Sequence, residues 1–313
     1  MIEKKYDYLT AKRRTQIGNI IFNVINALVL TFLVVVTVYP FWNTIAISFN
    51  DGLDAIAGGI TLWPRKFTWQ NYKALFTTGQ IFNAFVISVT RTLLQSVLSV
   101  FCTCMLAYAL SRKEYVLRKP LTSVLVVSMY VSAGLIPSYM LIKNLGMLNS
   151  YWVYIIPNLV DVFNFILVRT YINGLPDSFV ESARIDGANE FKIFLGIIFP
   201  LIIPSVAMIC LFVAVGAWNS WFDTYLYTSA KPNLYSLQYV LMQFLNSSQN
   251  QSNSAADANS MAVAAAAGSS GSMVTPITLR SSITVIATVP ILVVYPFMQR
   301  YFVVGMTIGG VKE

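Results

Sequence analysis

Four stretches of this chain hold no charged residue: between Arg14 and Asp51, Lys119 and Lys143, Lys192 and Asp223, and Arg280 and Arg300. Each gap accommodates the roughly 20 apolar residues needed to cross about 30 Å of hydrocarbon. Two further spans, around 81–110 and 152–172, contain or border a charge, which brings the number of expected membrane helices to six. Composition agrees. With 56% hydrophobic and 11% charged residues among 313, the chain carries too little polar surface to cover a soluble globule of its size. The expected fold class is an all-α integral membrane protein with six transmembrane helices.

Orientation follows from where Lys and Arg fall. Lys4, Lys5, Lys12, Arg13 and Arg14 precede the first span, Arg112, Lys113, Arg118 and Lys119 lie in the second loop, and Arg169, Arg184 and Lys192 in the fourth. Basic residues abutting membrane helices mark cytoplasmic loops, so both termini are placed in the cytoplasm and segments 50–80, 143–151 and 222–280 outside. Arg65, Lys66 and Lys73 in loop 50–80 run against the rule. The net charge of +8 is accounted for by cytoplasmic loops facing anionic lipid and calls for no nucleic acid. The chain thus divides into an N-terminal segment at 1–17, a first membrane helix at 18–49, an outer loop at 50–80, a core of five membrane helices at 81–304 and a tail at 305–313. The first apolar run exceeds a signal-peptide core and has no small-residue cleavage site after it, so it is expected to be retained. Cys102, Cys104 and Cys210 fall within spans, where a free thiol behaves as a small apolar group, and no disulfide framework or metal site is suggested.

Residues 246–272 are Asn, Ser, Gln, Ala and Gly with almost no large apolar side chain, too poor to pack alone. Loop 222–280 is long enough to touch an external protein. Before the polar tract, Trp218, Trp221, Phe222, Tyr225, Tyr227, Tyr235 and Tyr239 form an aromatic layer that suits a membrane belt or a sugar-stacking platform.

The segment after the fourth span is of another kind. Leu175-Pro176-Asp177-Ser178 stops that span, and Ser178 with Glu181 three residues later fits a capping box that opens a helix. Gly187 interrupts it, at about 1 kcal/mol relative to Ala in a helix interior, so a bend is expected there. A second helical stretch, 188–198, leads into the fifth span with its Pro200 and Pro204. On local physics alone this is a helix–turn–helix elbow or an ordinary connector.

Glu181-x-Ala183, then Gly187, Ile197 and Pro200, resembles the Glu-Ala-Ala signature of permease subunits of type I ABC importers; Ser182 stands for the usual Ala and Phe199 for the usual Leu. Trp63-Pro64, Phe67-Thr68, Asn71-Tyr72, Ala107 to Arg112, Arg300 to Thr307 and Gly309 to Lys312 resemble the carbohydrate-uptake branch of the family. The resemblance implies the type I ABC importer permease fold in a bacterial cytoplasmic membrane. It also implies a second permease subunit, an ATPase dimer that uses ATP and Mg, an extracytoplasmic solute-binding protein, and an oligosaccharide as solute. The elbow at 178–190 would then be the coupling helix that docks on the ATPase, with Glu181, Ser182, Ala183, Asp186, Gly187, Ala188, Ile197 and Pro200 as coupling residues. The Gly-rich tail resembles tails that reach the ATPase, which places Lys312 there.

The sequence has no GxxxxGK[ST] loop and no His, so neither phosphate cradling nor the commonest general base comes from this chain, and no catalytic residue or bound cofactor is assigned. An alternative remains, an ion-coupled secondary transporter using Asp161, which falls near mid-depth of the fourth span where ionisable groups are costly and usually functional. Asn158, Asp161 and Asn164 recur every three residues and are expected on one helix face, as a solute path or as hydrogen bonds between helices. Arg91 is expected to snorkel: the 20 residues from it to Ser111 measure about 30 Å as a helix.

Overall fold

The computed structural model describes residues 2–77, 79–252 and 274–310, with side chains over 19–77, 79–246 and 274–296. Among the described residues every regular element is helical, apart from one isolated bridge between Asn50 and Phe67. In chain order the helices are α1 (Ile2–Ser48), α2 (Gly52–Ile56), α3 (Gln70–Thr77), α4 (Gln80–Ser111), α5 (Arg118–Tyr130), α6 (Leu135–Asn144), α7 (Val162–Asn173), α8 (Ser178–Ile185), α9 (Glu190–Ile193), α10 (Phe199–Leu201), α11 (Ile203–Asn219), α12 (Leu237–Ser252) and α13 (Pro276–Gly310). The chain separates into two compact units, Met1–Tyr72 with Ala264–Val285, and Lys73–Val263 with Ile286–Glu313.

In the first unit, α1 is apolar and exposed from Asn19 to Trp42, as a helix surrounded by lipid would be, and only its end is buried, at Ala46 and Ser48. Past its end the chain is held by amides. Asn50 donates to Asp54 Oδ2 at 2.8 Å and accepts from the Lys66 N–H at 2.8 Å, while Asn71 donates to the carbonyls of Ser48 and Asn50, both at 2.9 Å. Phe49 packs against the rings of Phe67, Trp69 and Tyr72, so the residues of the first-loop motif are those that fold that loop.

The second unit is built on α4. Its buried residues recur at three- and four-residue spacing, from Ile81 and Ala84 through Ser96, Ser99, Val100, Thr103 and Cys104 to Ala107 and Tyr108. The stripe is rich in Ala, Ser, Thr and Cys, which lets α7 and α11 pack closely along it. One apolar core, with Cys104, Ala107, Phe165, Val168, Phe194, Ile198, Ile202 and Ile209 at its centre, runs under α8 as well.

Among the described residues, three helices are long and apolar enough to cross a membrane: Asn19–Ser48, Gln80–Ser111 and Pro276–Pro296. Two bent pairs bring the number to five. The expected fifth span is Glu190–Leu201 followed by Ile203–Asn219, broken by 83°. Pro200 and Pro204 lack the N–H groups that would bond the carbonyls one turn back, and the backbone relaxes through a π turn at Phe194–Ile198. The expected fourth span is Tyr151–Asn158 followed by Val162–Asn173, bent by 44°. Its first part is 3₁₀ turns around Pro157. The expected third span is also divided, into α5 and α6, where Gly134 takes φ +85°. The polar tract at 246–272 and the tail residue Lys312 lie largely or wholly outside the described residues, and α13 continues to Gly310.

Arg91 does not snorkel. Its side chain is fully buried, donating to the carbonyls of Ala217 and, at 2.7 Å, Ser220, and lying 3.3 Å from Asp223. Its guanidinium carbon sits 4.8 Å from the centre of the Tyr154 ring. The C-terminal carbonyls of α11 have no partner within their own helix, and a cation at that end also meets the negative pole of the helix dipole, so buried acceptors replace the water a snorkelling head would seek. Tyr154 is fixed in turn by Thr228 at 2.6 Å and the Leu234 carbonyl at 2.7 Å. Replacing Arg91 by Ala is therefore expected to cost about 3 kcal/mol, read as a clear fall in the thermal midpoint of the detergent-purified protein. An unchanged midpoint would remove this clamp from the account.

Candidate functional site: an elbow and a polar cavity

The elbow forms, with its start shifted. Asp177 has helical backbone angles, φ −60° and ψ −25°, and occupies the capping position without a side-chain cap bond. Ser178 is therefore the first residue inside α8 and Glu181 the fourth, one place too far along for a capping box. The Asp177 carboxylate accepts instead from Lys113 Nζ at 2.7 Å, and this hydrogen bond and charge hold its pKa below the ordinary carboxylate value.

α8 lies with one face in the core. Val180 and Ala183 are buried; Glu181, Ser182, Ile185 and Asp186 are exposed, Ile185 at 87%. The helix stops as a Schellman motif. Gly187 takes φ +76°, its N–H donates to the Arg184 carbonyl at 3.0 Å, and the N–H of Ala188 reaches the Ala183 carbonyl at 3.0 Å. Asn189 then opens α9 by accepting from the Lys192 N–H at 2.8 Å. Ile197 and Pro200 stand apart from this turn, in the π turn and just beyond it.

Arg184 fastens the elbow to the end of α4. One guanidinium nitrogen lies 2.6 Å from Glu114, another 2.8 Å from Glu190, and the other Glu190 oxygen accepts from the Tyr108 hydroxyl at 2.6 Å. Arg112 stands over the Tyr108 ring at 5.0 Å. The bonds to Glu114 and Glu190 raise the Arg184 pKa, and the bond from Arg184 lowers that of Glu114. These partners were not among the expected site residues. Tyr108 was visible only inside the motif from Ala107 to Arg112, and Glu114 pairs across 70 residues, which no local pattern announces.

Asp161 is not set in mid-helix. It is the N-cap of α7, its Oδ1 accepting from the Asn164 N–H at 2.8 Å. Asn158 ends a 3₁₀ turn and donates to the Tyr154 carbonyl at 3.1 Å. The three residues thus share no single helix face, because the backbone turns between 158 and 162. They do line one cavity of about 890 Å³, together with Gln95 and Ser99 of α4 and Asp223. Of the aromatic layer, Trp218 is buried and donates to the Ala287 carbonyl at 2.9 Å, whereas Phe222 and Tyr225 are exposed. Among the described residues no group of three His, Cys, Asp or Glu side chains is placed to hold a metal.

Residues 140–308 match the family model of the inner membrane component of binding-protein-dependent transport systems. The chain belongs to that family. It is 34% identical over 277 residues to the polygalacturonan/rhamnogalacturonan transport system permease protein YtcP of Bacillus subtilis (strain 168), covering 88% of this chain and 93% of the relative. It is 30% identical over 296 residues to the galactooligosaccharides transport system permease protein GanQ of the same organism, covering 91% and 94%. A chain in the crystal structure of a bacterial ABC transporter involved in the import of the acidic polysaccharide alginate superposes with a TM-score of 0.77 at 25% identity, covering 91% of this chain and 98% of that one. The chain is thus an integral-membrane permease of the ABC importer class and of its carbohydrate-uptake branch.

Two outcomes follow for the elbow. Gly187→Val forces a β-branched side chain into left-handed backbone at about 1–2 kcal/mol, and is expected to raise amide exchange over 178–190 while leaving α4 and α11 protected. Because Asp177 and Glu114 have lowered pKa values, their pairs stabilise the elbow fully above the ordinary carboxylate value of about 4 and lose that contribution as pH falls from there through the lowered values. Exchange at 178–190 should therefore rise on acidification before the rest of the helices respond.

Proposed function

We propose that this chain is one transmembrane half of an ATP-driven oligosaccharide importer of a bacterial cytoplasmic membrane. In this reading a second permease forms the other half, a pair of ATPase subunits binds beneath, and an extracytoplasmic binding protein delivers the solute. ATP and Mg are used by the ATPases, and no cofactor binds here. The elbow at 178–190 is the coupling helix and faces the cytoplasm, as do both termini.

The observation that carries the reading is the build of α8. A docking element must be stiff and must offer a surface of its own. Here a two-turn helix is closed by a Schellman motif, tied through Arg184 to Glu114 in the loop after α4 and by way of Glu190 to Tyr108 of α4, and sunk on one face into the core by Val180 and Ala183. Its free face carries Glu181 and the apolar tip Ile185, a combination suited to an apolar cleft with a basic or polar rim on the partner. A push received there travels into α4 and α11 without bending the link. The cavity containing Asn158, Asp161 and Asn164 is the proposed solute path, with hydroxyl-binding side chains along it. A self-sufficient ion-coupled carrier using Asp161 has less support, since the matching family is that of binding-protein-dependent transport systems.

Glu181→Lys separates the two. Glu181 is exposed and forms no ion pair among the described residues, so the change is expected to alter stability by no more than about 0.5 kcal/mol. Uptake and co-purification of the ATPase should nevertheless fall together, with ATP hydrolysis no longer stimulated by solute. Intact uptake in Glu181→Lys, alongside abolished uptake in Asp161→Asn, would reverse the assignment.

A further inference from the structure

We propose that the cavity lined by α4, α7 and α11 admits neutral oligosaccharide and rejects uronate chains, and that Asp161 makes the distinction. This rests on the importer reading above and names the solute class within it. The relatives divide on this point, since polygalacturonan and alginate are acidic polymers and galactooligosaccharides are neutral. Overall similarity does not choose between them; the charge of the cavity does.

Two carboxylates, Asp161 and Asp223, line the cavity, and among the described lining residues there is no Lys or Arg. The neighbouring cation, Arg91, is wholly buried and turned toward Asp223 and the carbonyls of Ala217 and Ser220, so Asp223 is neutralised where it stands. Asp161 forms no ion pair among the described residues. Its Oδ1 takes the Asn164 N–H, which leaves Oδ2 for a ligand. A second, independent feature points into the same space. Ser99 is 1% exposed, lines the cavity, and its hydroxyl has no hydrogen-bond partner among the described residues. Buried polar groups are nearly always paired, so this hydroxyl is a donor and acceptor left for an occupant.

A carboxylate beside amides and a free hydroxyl suits a sugar diol. Asp161 accepts the two hydroxyl protons in charge-assisted bonds, and Asn158 and Ser99 supply donors. Phe163 and Phe212, whose ring centres lie 6.4 Å apart, offer apolar surface to the C–H faces of the rings. A uronate in the same place brings a second negative charge near Asp161 with no cation among this chain's described lining residues to answer it, and at separations of several ångströms in protein surroundings that repulsion corresponds to about tenfold in affinity or more.

The test is equilibrium binding of galactotetraose and of tetragalacturonate to the complete transporter in nanodiscs, with no binding protein added, followed by saturation-transfer NMR. The wild type is expected to favour galactotetraose by about tenfold. Asp161→Asn keeps a good helix cap while removing the charge, and should bring the two ligands to within about threefold of each other. Ser99→Ala should weaken galactotetraose without changing the ratio. Equal or tighter binding of tetragalacturonate to the wild type, an unchanged ratio in Asp161→Asn, or binding of neither ligand would overturn the inference. Co-purifying ATPase is scored on the same samples: its absence would sink the importer reading, whereas its presence with an unchanged ratio would sink this inference alone.

Discussion

Arg184 holds two carboxylates at once, and the mechanical character of the protein depends on that grip. Without it, α8 would be a two-turn helix on a glycine turn held only by the packing of Val180 and Ala183, and a helix that short draws little stability from its own backbone. With Glu114 on one side and Glu190 on the other, and Tyr108 bound to Glu190, the elbow becomes an extension of α4. These are partly exposed pairs, individually weak, and their value is in geometry more than in energy. They fix where Glu181 and Ile185 stand, while Val180 and Ala183 carry the packing beneath.

The same helix, α4, serves the other end of the molecule. Arg91 lies five turns before its C-terminus and binds the open carbonyl end of α11, so α4 is joined to α11 by a buried cation and to the elbow by an arginine network. In the importer reading proposed above, this linkage is the route from α8 to the walls of the polar cavity, which α4 and α11 line together with the capped start of α7. The bends in the fourth and fifth spans belong to this design. By stopping a helix at Asn158 and restarting it at Val162, the chain sets a carboxylate at a helix N-terminus on the cavity wall, where backbone N–H groups stabilise it.

Much of this was legible in the sequence wherever the cause is local. Charge-free apolar runs read directly as helices, because the bilayer leaves few other solutions. Gly187 marked the turn, since few other residues adopt its positive φ, whereas the fifth span, expected to run on through Pro200 and Pro204, breaks there. What could not be read was set by partners distant in sequence. Arg91 reads as a snorkelling residue from its position alone, and its acceptors lie more than 120 residues away. The start of α8 moved by one residue because Asp177 itself adopts helical backbone, and the Asn158, Asp161, Asn164 stripe lost its helical register to the turn between 158 and 162 while keeping a common cavity. Glu114 lies in a loop with no periodicity to betray its role.

The claim that motion enters through the elbow is tested most directly by proximity. With the native cysteines replaced and a single cysteine at position 185, a short bifunctional thiol reagent applied to membranes containing the whole transporter should join this chain to the ATPase subunit, and the adduct should change in yield as nucleotide is added. Adducts that never contain the ATPase, under conditions where the transporter is shown to be assembled and active, would contradict the account.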